Sequence, residues 1–437
     1  MKFVIVTQIG VIAALLATQP ASARPLQEEL ADLLKNHPQI EASRKAISSS
    51  GEGVNRALSG FYPTVTAKGA IGPSIIDNPT TRARQSDAKD QVRTKNTAGL
   101  AVTQNLFKGF ATTSLTQTAR LNQEIAEISS ENTVQNVLFE GISAYVDVLR
   151  QKRLVELSRS SEGTIQTQLN LEDERVRRGS GIAVDVLQAK SRLQIAKERR
   201  VNFEGAMEDA VSHFRQVFNS APNIDAMMDP MPPVELLPAN LASAITIALD
   251  ENPAISNAAT TVEVARERQR TVQSEYYPNL DLVAEANYEK HNDTTIGTRR
   301  DYSLVLEANW ALFSGFSTKA GVAQAAYDYG SSKDNHVFVV RKVEEQTRLS
   351  WQALLTVRER VELLENAVNI ASEVFDARQK LREAGKETVI NVLDAESEIF
   401  NAQINYTAAS YDERVAVYQM LLAMGRLNGK TLRLAAE

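Results

Sequence analysis

Few side chains in this chain are suited to covalent or metal chemistry. The histidines His37, His213, His291 and His336 are scattered, without the spacing of a metal-ligand set. Cysteine is absent, which removes thiol nucleophiles, disulfides and an acylated N-terminal Cys together. Gly425 to Lys430 (GRLNGK) lacks the spacing of a phosphate-binding loop, and no nucleophile elbow occurs. The sequence thus offers no catalytic residue, no metal ligand and no cofactor site, and the reading is of a protein that is not an enzyme.

Two short stretches carry the more distinctive signal. Residues 385–396 read GKETVINVLDAE, and residues 179–190, 206 positions upstream, read GSGIAVDVLQAK. Gly179 matches Gly385, Val186 matches Val392, Leu187 matches Leu393 and Ala189 matches Ala395. Each stretch lies between two long runs with helical spacing. Gly is expected just past a helix end, where the backbone turns left-handed. Each stretch therefore reads as the tip of an αα-hairpin, and the fixed offset indicates a duplicated architecture.

The flanking elements repeat in the same order. Residues 25–60 form a helical pattern broken at His37-Pro38, and 239–275 form another broken at Asn252-Pro253. Phe61-Tyr62-Pro63 and Tyr276-Tyr277-Pro278 follow, and the apolar period drops to two. In the second copy Leu280, Leu282, Ala284, Ala286 and Tyr288 share a face, as do Tyr302, Leu304, Leu306, Ala308, Trp310 and Leu312. Asp281, Glu285, Asn287, Glu289, Ser303, Glu307 and Asn309 take the other face, with Val283 the exception. The first copy alternates more weakly through Val65, Ala67, Gly69 and Ile71, then Ala98, Leu100, Val102 and Leu106. Strands are expected at about 63–72, 97–107, 278–289 and 301–313, each about as long as a tilted strand needs to cross a bilayer. The offset falls from 215 to 206 across the hairpins, so the first loop is nine residues longer, and it is basic through Arg82, Arg84, Lys89, Arg93 and Lys95. A solvated tip tolerates such variation.

Leu106-Phe107-Lys108-Gly109-Phe110 matches Leu312-Phe313-Ser314-Gly315-Phe316, and each opens 68 residues without proline. A continuous helix of that length spans about 100 Å. Val357, Val361, Leu364, Val368, Ala371 and Phe375 alternate steps of four and three, a heptad seam; Ile182, Val186, Ala189, Leu193 and Ala196 keep heptad steps after the first tip. The expected domains are a first repeat over 24–218 with its tip at about 179–185, a Pro-rich linker over 219–238, and a second repeat over 239–437 with its tip at about 385–391.

Composition narrows the class. Hydrophobic residues make up 43% and charged residues 23% of 437, an ordinary balance for a folded protein. Lys2, the apolar run Val4–Leu16 and Ala21-Ser22-Ala23 have the form of a cleaved signal peptide over 1–23. The remainder has a net charge of −7, no basic stripe for nucleic acid and no apolar run long enough for a spanning helix. A four-stranded sheet with one apolar and one acidic face cannot close alone, and an open edge is forbidden in lipid. Two chains would give eight strands and three would give twelve. The competing class is a structural periplasmic coiled-coil scaffold or adaptor without a barrel.

In this order of motifs the chain resembles the TolC-like outer-membrane channels of Gram-negative bacteria, over essentially its whole mature length. The resemblance rests on Tyr62-Pro63 and Tyr277-Pro278, on Leu106-Phe107 with Gly109 and Leu312-Phe313 with Gly315, and on the two tips. It implies a mainly α fold with a small β part: a homotrimer whose twelve-stranded transmembrane β-barrel continues into a periplasmic α-helical barrel. It implies an exit duct for efflux or type I secretion, with outer-membrane lipid around the barrel and a periplasmic adaptor and an inner-membrane transporter docking at the tips. The family narrows its periplasmic entrance with two Asp in a DVLD segment. Here Asn391-Val392-Leu393-Asp394 keeps only the second, so the implied constriction is one ring of Asp394, with Asn391 beside it and Asp185 at the first tip. The family's latch Arg is replaced by Glu387, which leaves Arg382, Arg177 and Arg178 as candidate substitutes. The implied adaptor contacts are Gly179, Gly181, Val186, Leu187, Gly385, Val392 and Leu393.

Overall fold

The computed structural model describes residues 25–76, 79, 91–292 and 297–434. The segment 1–23 and Arg82, Arg84 and Lys89 of the basic loop lie outside the described residues.

The same run of elements occurs twice. The first comprises α1 (Leu26–Asn36), α2 (Pro38–Leu58), β1 (Thr64–Ile76), β2 (Gln91–Lys108), α3 (Ala111–Arg177) and α4 (Ala183–Phe218). The second comprises α5 (Leu241–Glu251), α6 (Pro253–Gln273), β3 (Asn279–Lys290), β4 (Thr298–Asn309), α7 (Ser317–Glu383) and α8 (Val389–Ala423). Residues 219–240 hold no α-helix. The proline breaks work alike in both copies. Pro38 and Pro253 each take the first helical position, and the residue before each caps the new helix. His37 Nδ1 accepts from the Gln39 N–H at 3.3 Å, and Asn252 Oδ1 accepts from the Ala254 N–H at 2.9 Å.

The strands form one antiparallel sheet in the order β1-β2-β3-β4. Register fixes the faces: Leu280 lies opposite Ala308, Leu282 opposite Leu306 and Ala284 opposite Leu304. Through Val102↔Ala284 and Val65↔Val102 the same face continues across β2 and β1. The strand limits differ from expectation in the first hairpin, which is longer, and in β4, which spans Thr298–Asn309 in place of 301–313. The first hairpin runs on to Ile76↔Gln91 because Pro73 sits on an edge strand, where a missing N–H breaks no central ladder. β4 stops at Asn309, opposite the first residue of β3; the Trp310 indole N–H then donates to the Tyr276 carbonyl at 3.1 Å and turns the chain off the sheet.

Each sheet-to-helix corner is a left-handed Gly-Phe pair: Gly109 and Phe110 at φ 56° and 67°, Gly315 and Phe316 at 61° and 66°. A Phe there is strained by about 1–2 kcal/mol, and aromatic packing holds it. The Phe107 and Phe110 rings meet edge to face at 5.3 Å, as do Phe313 and Phe316 at 5.5 Å. Beyond the corners α3 and α7 each run 67 residues, about 100 Å at 1.5 Å per residue. α3 packs on α2, α4, α6 and α8, and α7 packs on α5, α6 and α8. The main core sits midway along the helices, where Leu138, Ile142 and Tyr145 of α3 meet Phe214 of α4, Met420 and Leu421 of α8, Leu30 of α1 and Ala244 of α5.

Candidate functional site at the paired hairpin tips

Both tips are set by backbone geometry. Gly179 and Gly385 follow the ends of α3 and α7 at φ 78° and 71°. The Ser180 N–H returns to the Arg175 carbonyl at 3.0 Å, and the Lys386 N–H returns to the Leu381 carbonyl at 2.9 Å. This is the doubly bonded cap that a left-handed glycine permits. Gly181 is required for a different reason, since a Cβ there would meet the Val176 backbone N and Cγ2 at 2.9 Å.

The two tips meet each other. Ile165 and Leu169 of α3, Val186, Ala189, Leu193 and Ala196 of α4, and Val389 and Leu393 of α8 form one buried cluster. Val186, Val392 and Leu393 are therefore interior, whereas Leu187 is 65% exposed beside the exposed Ile182 and Val184. The heptad seam after the first tip is buried from Val186 to Ala196, with Ile182 outside it.

Polar contacts around this cluster join the two repeats. Arg192 Nη2 of α4 donates to Asp394 Oδ1 of α8 at 2.7 Å, with both side chains about half exposed. Asp394 is thus half of an ion pair. Arg382, in the last turn of α7, donates one Nη to Glu172 of α3 and the other to the Glu387 carbonyl at 2.8 Å. Glu172 is 3% exposed, with Arg175 at 3.9 Å as its second cation. Of the three candidate latch arginines, Arg382 bridges the repeats, while Arg177 and Arg178 pair with Asp173 and Glu174 of their own helix. Asn391 is held locally: its amide donates to Glu387, and its N–H donates to the Thr388 hydroxyl that caps α8. The Asn391 amide and the Thr388 N–H hold the Glu387 carboxyl below the usual carboxylate range. Asp185 lies in the first turn of α4.

Glu396 is the least satisfied group here. It is buried against α3, where one oxygen accepts from the Ser161 hydroxyl and the other has no partner. Burial pushes its carboxyl above the usual range; the Ser161 bond and the charges of Arg199 and Arg192 oppose the shift. Among the described residues no group of three or more His, Asp or Glu side chains is arranged to hold a metal ion.

Sequence reading missed Glu172, Glu396, Ser161 and Arg192. For the two carboxylates the signal was available. Glu172 follows Ile165 and Leu169 at heptad steps of four and three, and Glu396 follows Val389 and Leu393 in the same way. Each is a charge in an apolar seam, where a partner must be present.

A family model described as outer membrane efflux protein matches residues 30–220 and 244–426. The chain belongs to this family. The outer membrane efflux protein BepC of Brucella suis is 24% identical over 99% of this chain and 92% of its own length. The alkaline protease secretion protein AprF of Pseudomonas aeruginosa is 23% identical over 92% of this chain and 85% of its own. Among solved structures, the outer membrane protein VceC of Vibrio cholerae superposes with a TM-score of 0.77 at 14% identity, over 92% of this chain and 96% of that one. The resemblance to TolC-like channels stated from the motifs is correct. The chain is an outer membrane efflux protein of Gram-negative type, in a family of channels rather than enzymes.

Proposed function

We propose that three copies of this chain close a twelve-stranded barrel in the outer membrane and continue it as a helical tunnel, forming a gated exit duct. A periplasmic adaptor and an inner-membrane transporter engage the tips and supply the energy, with small molecules, secreted proteins or both as cargo. The observation that carries this reading is the sheet. One face is apolar from Val65 to Ala308, the other holds Asp281, Glu285 and Glu307, and among the described residues the outer edges of β1 and β4 are unpaired. Exposed edges are not tolerated in lipid. Four is an even number, so β4 of one copy meets β1 of the next antiparallel and the ring closes without an irregular pair.

In this reading Leu187, with Gly179, Gly181 and Gly385, presents the adaptor surface, and Val186, Val392 and Leu393 form its floor. Asp394, Asn391 and Asp185 lie nearest the tunnel mouth. The Arg192–Asp394 and Arg382–Glu172 pairs hold the two hairpins of one chain together, and opening works against them. The test is conductance of the purified protein in a planar bilayer. The wild type is expected to show a small, weakly cation-preferring conductance. Asp394→Ala should enlarge the conductance and lower that preference; Arg192→Ala should raise the preference by freeing the carboxylate. Full solubility without detergent, with no conductance, sinks the barrel. Conductance that ignores both variants moves the constriction to another level, with Asp185 next in line.

A further inference from the structure

Among the described residues, the outward face of the sheet carries charge in one place. Following the register, it presents Val65, Ala67, Gly69, Ile71, Pro73 and Ile75 on β1, and Thr94, Asn96, Ala98, Leu100 and Val102 on β2. It continues through Leu280, Leu282, Ala284, Ala286, Tyr288 and Lys290 on β3, and Ala308, Leu306, Leu304, Tyr302, Arg300 and Thr298 on β4. Among the described residues of this face, Lys290 and Arg300 are the charged ones. Both are cationic, both are exposed, and both lie at the loop end, away from the helices. Neither makes an ion pair among the described residues. The adjacent inward Arg299 is neutralised by Asp301 at 2.8 Å. The contrast separates a paired inward Arg from an outward cationic spot with no counterion among the described residues.

Position along the strand gives the depth. Leu280, next to the aromatic corner, and Lys290 are ten residues apart, about 34 Å along an antiparallel strand. At a tilt of about 40–45° this is about 25 Å of height, the thickness of an outer-membrane apolar band. Tyr288 and Tyr302 sit just below the cations, where an interfacial aromatic belt belongs. Lys290 pairs with Thr298 and Arg300 with Tyr288, so the two cations are diagonal neighbours on one face. Such neighbours are about 7–8 Å apart, and two long side chains at that spacing reach one phosphate group together.

We infer that Lys290 and Arg300, flanked by Asn96, Tyr288 and Tyr302, form a binding site for the phosphorylated headgroup of the glycolipid in the outer leaflet. The site rests on the barrel reading above, and charge complementarity selects the ligand. A cation facing apolar chains is costly at mid-bilayer and tolerated only at the interface, and the interface on this side is anionic.

The experiment measures glycolipid retained by the purified full-length assembly in detergent, using bis-phosphorylated lipid A and its dephosphorylated form as probes and native mass spectrometry as the readout. The wild type should hold the phosphorylated probe about thirtyfold more tightly than the Lys290→Gln/Arg300→Gln double variant. Arg299→Gln, which changes the inward face, should bind like the wild type. Equal retention by wild type and double variant, or equal retention of both probes by the wild type, overturns the site. Salt gives a check that needs no variant: retention that is unchanged in about 0.5 M salt also overturns it. Conductance of the same preparations separates the two proposals. A conducting double variant that has lost the lipid supports both, whereas a wild type without conductance refutes the duct independently of lipid binding.

Discussion

Arg382 is the side chain whose removal most directly tests how the tips are held. It contacts Glu172 across the repeat boundary and the Glu387 carbonyl across its own tip, and its side chain is 17% exposed against 3% for Glu172. Arg382→Ala leaves a buried carboxylate with only Arg175, 3.9 Å away, as a partner. Breaking a buried pair from one side costs about 3–5 kcal/mol; partial compensation by Arg175 argues for the lower end. The opening free energy of the tip should fall by that amount, so amides of 165–176 and 389–400 should exchange about a hundredfold faster wherever tip opening limits their exchange. Glu172→Gln/Arg382→Gln removes both charges and should recover most of the protection, because the largest part of the cost is the orphaned charge rather than the lost attraction. Unchanged exchange in Arg382→Ala, or a double variant as fast as the single one, would refute the reasoning.

Two further perturbations follow from the same geometry. Glu396 has a folded-state carboxyl raised by burial, so its contribution to tip stability is present below the ordinary carboxylate range and lost as pH rises through the raised value. Glu396→Gln should slow tip exchange at neutral pH, leave it unchanged at acid pH and flatten the pH dependence between; an identical pH profile in wild type and variant would show that Glu396 does not titrate there. At the corners, Gly109→Ala should be far more damaging than Gly315→Ala. Both need positive φ, costing about 1 kcal/mol each, but only a Cβ at 109 would clash with the Ser274 carbonyl oxygen, while position 315 is open. The yield of heat-resistant, barrel-inserted protein checks this, and equal yields would contradict it.

What could be read from the sequence was whatever depends on local period and backbone chemistry. Period two in 280–288 and 302–308 set the sheet faces, and the proline-free runs after Gly109 and Gly315 set the helix lengths. The prolines at 38 and 253 and the glycines at 179 and 385 set the ends. What escaped depends on which helix lies beside which. Asp394 in isolation reads as a free carboxylate, and only the approach of α4 to α8 reveals Arg192 opposite it. Trp310 continues the apolar alternation of β4, yet its indole bond to Tyr276 takes it off the sheet. Pattern specifies an element and its face; pairing between elements 200 residues apart in sequence is not a periodic property.

The duplication itself explains why those pairs were hidden. The copies diverge in charge at their contact while agreeing at their turns and seams. At the offset of 206 that aligns the tip glycines, Arg192 corresponds to Glu398, Asp394 to Gln188, Glu172 to Arg378 and Glu396 to Lys190. Arg382 corresponds to Val176. None of the inter-repeat ion pairs has a counterpart in the other copy, although Gly179, Val186, Leu187 and Ala189 all do. In a chain built from two copies, identity between them marks the turns and seams that each hairpin needs for itself. Divergence at otherwise aligned positions marks where one hairpin must recognise the other, and the charged members of that set are the residues on which opening of the tips should depend.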